Sequence, residues 1–121
     1  MPSIERFPSA KPLPLSRAVK AGGFLFLSGI LPAEADGTPV KGDIRLETRA
    51  VLQRIDETLV ELGSATDQVV RATIWLADMS DFAGMNEEYA VFFKAALPAR
   101  STVQATLNRG ARVEIEVQAL A

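Results

Sequence analysis

In a chain of 121 residues with neither histidine nor cysteine, few side chains can do chemistry. Thiolate nucleophiles, disulfides, Cys/His zinc sites and any triad built on an imidazole base are excluded. No D-x-D-x-D-G-type loop offers an all-oxygen cation site either. Acid–base work must fall to carboxylates, lysine, tyrosine, arginine-held water or the backbone. Two residues near the C-terminus fit such work. Arg100 stands in Pro98-Ala99-Arg100-Ser101 at the mouth of a strand-like run, and Glu114 stands inside the next run, Arg112-Val113-Glu114-Ile115-Glu116. A guanidinium offers a planar fork for two parallel charge-assisted hydrogen bonds to a carboxylate, which lysine does not reproduce. A carboxylate in a partly desolvated cleft has a raised pKa and can relay a proton near neutrality. The plainer reading makes Arg100 a strand-end charge, and Glu114 and Glu116 two solvated acids on an outer face. From the residues alone, those two acids are equivalent.

Composition narrows the partners. Apolar residues make up 48% and charged residues 23% of the chain, too apolar for disorder and ordinary for a single globular domain, 1–121. The net charge is −2 and the basic residues are scattered, so nucleic acid is disfavoured as a partner. No stretch approaches the roughly 18 apolar residues of a membrane span. The N-terminal MPSIERFPSAKP puts Glu5 and prolines where a signal peptide would need an apolar core, so a cytoplasmic location is expected.

The elements that must position Arg100 and Glu114 are legible from periodicity. Ser3–Phe7 reads as a short strand stopped by Pro8, and Ser9–Val19 as extended and irregular, punctuated by prolines. After Gly22-Gly23 an apolar FLFLSG run has strand length, and Glu34–Lys41 is a turn. Asp43 is placed to cap a helix over Ile44–Leu62, with Ile44, Val51, Leu52, Ile55, Leu59 and Leu62 on one stripe. Glu47 is assigned with the other charged residues to its polar faces, and Gly63 stops it. Gln68–Ala77 is a strand apolar enough to be covered on both faces. A second helix runs from Ser80 or Asp81 to about Ala96, its Phe82, Met85, Tyr89, Phe92 and Phe93 read as packing. Two strands follow, Ser101–Leu107 and Arg112–Leu120. The order predicts an α+β fold, two helices on one face of a mostly antiparallel or mixed sheet. No helix is left for the other sheet face, so oligomerisation through it is expected.

The last two strands read as a hairpin around Asn108-Arg109-Gly110. Sharing one inner face between Val103, Ala105, Leu107 and Val113, Ile115, Val117, Ala119 pairs Leu107 with Val113 and Thr106 with Glu114. Arg100 and Glu114 then share a polar face, roughly 20 Å apart. Such a pair could meet one small ligand only across subunits.

Four segments carry a resemblance: SGILP (Ser28–Pro32), DFAGMNEEYAVFF (Asp81–Phe93), PARS (Pro98–Ser101) and RVEIEVQA (Arg112–Ala119). In order and spacing they resemble the Rid, or YjgF-like, family. The resemblance implies a chorismate-mutase-like homotrimer of the Bacillus type, with sites in clefts between subunits. It implies hydrolysis of reactive 2-imino or 2-enamino acids to 2-keto acids and ammonia, without cofactor or metal. By the same resemblance Arg100 holds the substrate carboxylate and Glu114, not Glu116, positions or activates water. Ser28, Gly29, Asn86 and the backbone of Thr102 line the cleft. Where the best-studied relatives have tyrosine, this chain has Leu15, which implies a more apolar pocket and a shifted substrate preference. The alternative is a non-catalytic, ligand-sensing or chaperone-like trimer that binds keto or amino acids in the same clefts.

Overall fold

The computed structural model describes residues 3–121. Asp43 starts the first helix as its position predicts: its side chain accepts from the Leu46 N–H at 2.9 Å. Helix α1 runs Ile44–Glu61, and Gly63, at φ 84, turns the chain away after it. The second helix, α2 (Phe82–Phe93), is shorter than predicted; a 3₁₀ turn over Met79–Asp81 precedes it, capped by Asp78. The strands are β1 (Glu5–Pro8), β2 (Ser16–Ala21), β3 (Phe24–Leu27), β4 (Val69–Leu76), β5 (Ala99–Gln104) and β6 (Val113–Leu120). Strand β2 lies partly in the stretch read as irregular. It forms because its residues complete a ladder between β1 and β3.

The six strands make one sheet in the order β1-β2-β3-β6-β4-β5, antiparallel except for β4 with β5. Both helices cover one face. Leu25 and Leu27 of β3, Ala72, Ile74 and Leu76 of β4, and Val113, Ile115 and Val117 of β6 are buried there. Against them lie Val51, Leu52, Ile55 and Leu59 of α1 and Met85, Tyr89 and Phe93 of α2, also buried. Among the described residues no helix is long and apolar enough to cross a membrane.

The closing hairpin does not form. Strand β4 inserts between β5 and β6, pairing parallel with one and antiparallel with the other. The eight residues from Ala105 to Arg112 pass over the end of β4, where Ala105 donates to the Leu76 carbonyl and Ala77 to the Arg112 carbonyl. The inner set assigned to β6 is correct, but that of β5 is reversed. Arg100, Thr102 and Gln104 pair with Ala72, Ile74 and Leu76 and so face the helices. Val103 lies on the opposite, open face, partly exposed. As an edge strand β5 is only half covered, so its polarity alternation does not report which face is inward.

Glu47 is a second correction, for it is only 2% exposed. Its carboxylate accepts from the Arg112 N–H at 2.9 Å and the Gly42 N–H at 3.2 Å, while Arg112 Nε donates to the Gly42 carbonyl at 2.8 Å. The side chain ties the loop before α1 to the start of β6, and so to Glu114 two residues on. Glu47→Ala is expected to cost about 1–3 kcal/mol in urea denaturation, because two part-buried amides lose their acceptor. Glu47→Gln, which keeps one carbonyl, should lose less.

Candidate functional site

Two separate groups of the expected residues emerge from this fold. The first lies between α2 and β5. Helix α2 ends at Lys94, at φ 55, and Ala95–Pro98 bring the chain back to start β5. Parallel pairing sets Arg100 opposite Ala72, whose small side chain leaves room beneath α2. The Arg100 Cζ lies 4.9 Å from the centre of the Tyr89 ring and 5.5 Å from that of Phe82. A cleft of about 330 Å³ opens there, bounded by Asn86, Tyr89, Leu97, Pro98 and Arg100. Asn86 Oδ1, Tyr89 Oη and Thr102 Oγ1 are buried without a hydrogen-bond partner. Two of these unpartnered atoms, on Asn86 and Tyr89, belong to residues that line the cleft with Arg100, and such orphans are unusual in a packed interior. Burial pushes the Tyr89 hydroxyl pKa up, partly offset by the Arg100 charge, so the phenol stays protonated.

The second group meets at Gly29, which Glu114 approaches from one side and which borders a cavity with Leu15 and Ser28 that Glu114 does not line. Ser28 is fixed by its backbone: its N–H donates to the Arg17 carbonyl at 3.0 Å and its hydroxyl to the Ser16 carbonyl at 2.6 Å. Ile30 then exchanges backbone hydrogen bonds with Ile115, at 2.8 and 3.1 Å, which lays Gly29 against Glu114. A Cβ added at Gly29 would overlap Glu114 Oε2. That contact separates Glu114 from Glu116, which the residues alone leave equivalent. Burial, and next the neighbouring Glu116, hold the Glu114 carboxyl above the usual carboxylate range. Leu15, partly exposed, borders a cavity of about 390 Å³ with Leu13, Ser28, Gly29 and Ile30.

Gly29→Ala tests this close approach. The carboxylate is the far end of a flexible chain and can swing aside, so stability should change by less than about 1 kcal/mol. Any activity that depends on the carboxylate should fall at least about tenfold, since small misplacements of reacting groups are costly. Melting and kinetics on one preparation check both.

The two groups do not meet in one chain. Arg100 aligns with Ala72, and Glu114 with Trp75, three positions along β4. An odd step puts them on opposite faces of the sheet, not the shared face expected from a hairpin. Strand geometry gives about 14 Å between their Cα atoms rather than 20. Tyr89, read from the sequence as packing, is the residue that reading missed. Its signal was available: Phe82, Asn86 and Tyr89 fall at i, i+4 and i+7, so a polar Asn sits inside an otherwise aromatic stripe.

Comparison with known proteins agrees with this architecture. The family model described as Endoribonuclease L-PSP matches residues 7–121. A RutC family protein of Pyrococcus horikoshii is 44% identical, over 88% of this chain and 86% of its own length. A mouse protein named 2-iminobutanoate/2-iminopropanoate deaminase is 38% identical, over 88% of this chain and 81% of its own. The crystal structure of a Rid family protein of Yersinia pestis, described as of unknown function, superposes with a TM-score of 0.90. It is 38% identical and covers 98% of this chain and 100% of that one. The chain therefore belongs to the Endoribonuclease L-PSP family, that of the Rid or YjgF-like proteins.

Proposed function

We propose that this protein hydrolyses reactive 2-imino and 2-enamino acids to 2-keto acids and ammonia, in clefts formed between the subunits of a homotrimer. One observation carries the reading: Arg100, in no ion pair among the described residues, and Glu114, a carboxylate of raised pKa, lie on opposite faces of one sheet. Neither half suffices alone. The open sheet face gives a reason for copies to join, since Phe24, Phe26, Val103 and Leu120 are all exposed. Each cleft would take Arg100, Asn86 and Thr102 from one subunit and Leu15, Ser28, Gly29 and Glu114 from the next.

In that arrangement Arg100 grips the substrate carboxylate through its fork and sets C2 of the imine toward Glu114. Glu114 takes a proton from water as the water oxygen bonds to C2 of the protonated imine, which gives a carbinolamine. That proton then passes to the amino nitrogen, and the C–N bond breaks to release ammonia as the hydroxyl gives its own proton to Glu114, which returns it to solvent and leaves the keto group. Imine and water are consumed, keto acid and ammonia formed, with no change in oxidation state. Leu15, which borders the adjoining cavity with Ser28 and Gly29, would leave that side of the cleft apolar. A nuclease reading, which the family model's description invites, has no imidazole to draw on in this chain.

Subunit mixing tests the shared site. Assayed at imine concentrations well below the wild-type KM, Arg100→Ala and Glu114→Gln should each retain no more than a few per cent of wild-type activity alone, about 3% at the mild end of the expected loss. Co-refolded in equal amounts, they should regain activity at about a quarter of the sites, by random assortment around a three-fold ring. The assay is loss of semicarbazone from imines made by an amino-acid oxidase. No recovery in mixed trimers would rule out the shared cleft.

A further inference from the structure

Arg100 is distinguished by its counterpart. Arg17, Arg45, Arg49, Arg54 and Arg112 each form an ion pair with an acid, while Arg6, Arg71, Arg100 and Arg109 form none among the described residues; of these four, Arg100 alone lies over aromatic rings. Two aromatic rings take the acid's place, at 4.9 and 5.5 Å from its guanidinium carbon. Both belong to one stripe of α2, on either side of Asn86. The Tyr89 ring is itself braced, with its centre 4.6 Å from that of Phe93, which stands edge-on to Phe92 at 4.8 Å. Tyr89 is 4% exposed and Phe93 2%, so this support has little freedom to move.

The chemistry of such a support differs from that of an acid. A ring face attracts a cation through its quadrupole but accepts none of its in-plane N–H bonds. A carboxylate in the same place would neutralise Arg100 and occupy the fork, and a ligand would have to displace it. We propose that Tyr89, assisted by Phe82, is a positioning residue for Arg100. The rings fix the guanidinium at the cleft while its charge and donors stay unspent, so that the ligand's carboxylate supplies the counter-charge. This rests on the reading that Arg100 receives a carboxylate and adds what holds it ready. The ring is the working part, because the hydroxyl has no partner in the chain and the ring is what lies against the guanidinium.

The test compares Tyr89→Phe, which keeps the ring, with Tyr89→Leu, which removes it. The probes are 2-ketobutyrate and its neutral amide, 2-ketobutyramide, titrated by calorimetry or NMR, together with imine turnover. Tyr89→Phe should keep the 2-ketobutyrate Kd and the imine KM within about twofold of wild type. Tyr89→Leu should weaken both by about 3- to 30-fold, with kcat changed by less than threefold and amide binding unaffected. Equal losses in Phe and Leu, no loss in Leu, or equal weakening of acid and amide would overturn the inference. If Tyr89→Leu does not assemble, Phe82→Leu at the more exposed ring should show the same split at about 2- to 5-fold; no split there also overturns it. A wild type that binds no 2-ketobutyrate overturns it as well. A wild type that binds 2-ketobutyrate and gives the predicted series, yet turns over no imine, removes the deaminase reading and leaves the ring support standing.

Discussion

Replacing Arg100 by alanine should lower kcat/KM for a small imino acid by about 30- to 5000-fold. That is the roughly 2–5 kcal/mol lost when one partner of a desolvated, hydrogen-bonded charge pair is cut away. Most of the loss should appear in KM, because the carboxylate is not the reacting group and its clamp acts before and during the reaction alike. Arg100→Lys is the sharper variant. It restores the charge but not the fork, so it should recover no more than about tenfold of the loss. Because Arg100 forms no ion pair among the described residues, Arg100→Ala should cost the fold little beyond its ring contacts, on the order of 1 kcal/mol. Gel filtration should match wild type and melting should stay within a few degrees of it. Activity in Arg100→Ala within threefold of wild type would end its role as the clamp.

Glu114→Gln should act on the other kinetic constant. Loss of a positioned proton acceptor typically removes about 10²- to 10⁴-fold in rate, so kcat should fall by that much with KM nearly kept. Burial and Glu116 raise the Glu114 pKa above its ordinary value of 4.5. Wild-type activity should therefore climb with pH through a value above the usual carboxylate range, and Glu114→Gln should lack that limb. Glu116→Gln should shift the limb to lower pH by removing a like charge.

Stability carries the opposite sign. A carboxyl whose pKa is higher in the folded than in the unfolded chain binds its proton more tightly when folded. Its favourable contribution is present below the unfolded pKa and is lost as pH rises through the folded one. Glu114→Gln should thus gain stability relative to wild type between acid and neutral pH while losing activity. A denaturation series from pH 4 to pH 8 compares the two. A gap between variant and wild type that narrows as pH rises would contradict the assignment.

How much was legible depended on the range of the forces involved. Helix α1 was readable almost to the residue, because its cap at Asp43, its stripe from Ile44 to Leu59 and its stop at Gly63 act within a few positions. The inner face of β6 was readable because Val113, Ile115 and Val117 alternate with acids in a strand covered from both sides. Glu47 was misplaced, since the amides that satisfy it belong to Gly42 and, 65 positions away, to Arg112. Tyr89 reads as packing because its spacing is that of a core residue, and it is buried; its contact with Arg100 appears only when β5 brings the guanidinium over its ring.

The sequence by itself determined the chemistry available: no imidazole, no thiol, a forked cation at position 100 and a carboxylate at 114. It also determined two amphipathic helices and a sheet with one face left to cover. Only the tertiary structure decided that β4 lies between β5 and β6, and with that which face each of the two residues occupies. The reason is physical. Strand pairing is made by backbone groups that every residue carries alike, so a side-chain pattern can mark a strand without naming its neighbour. The eight residues between β5 and β6 are enough to pass over a third strand, and β4 lies between the two.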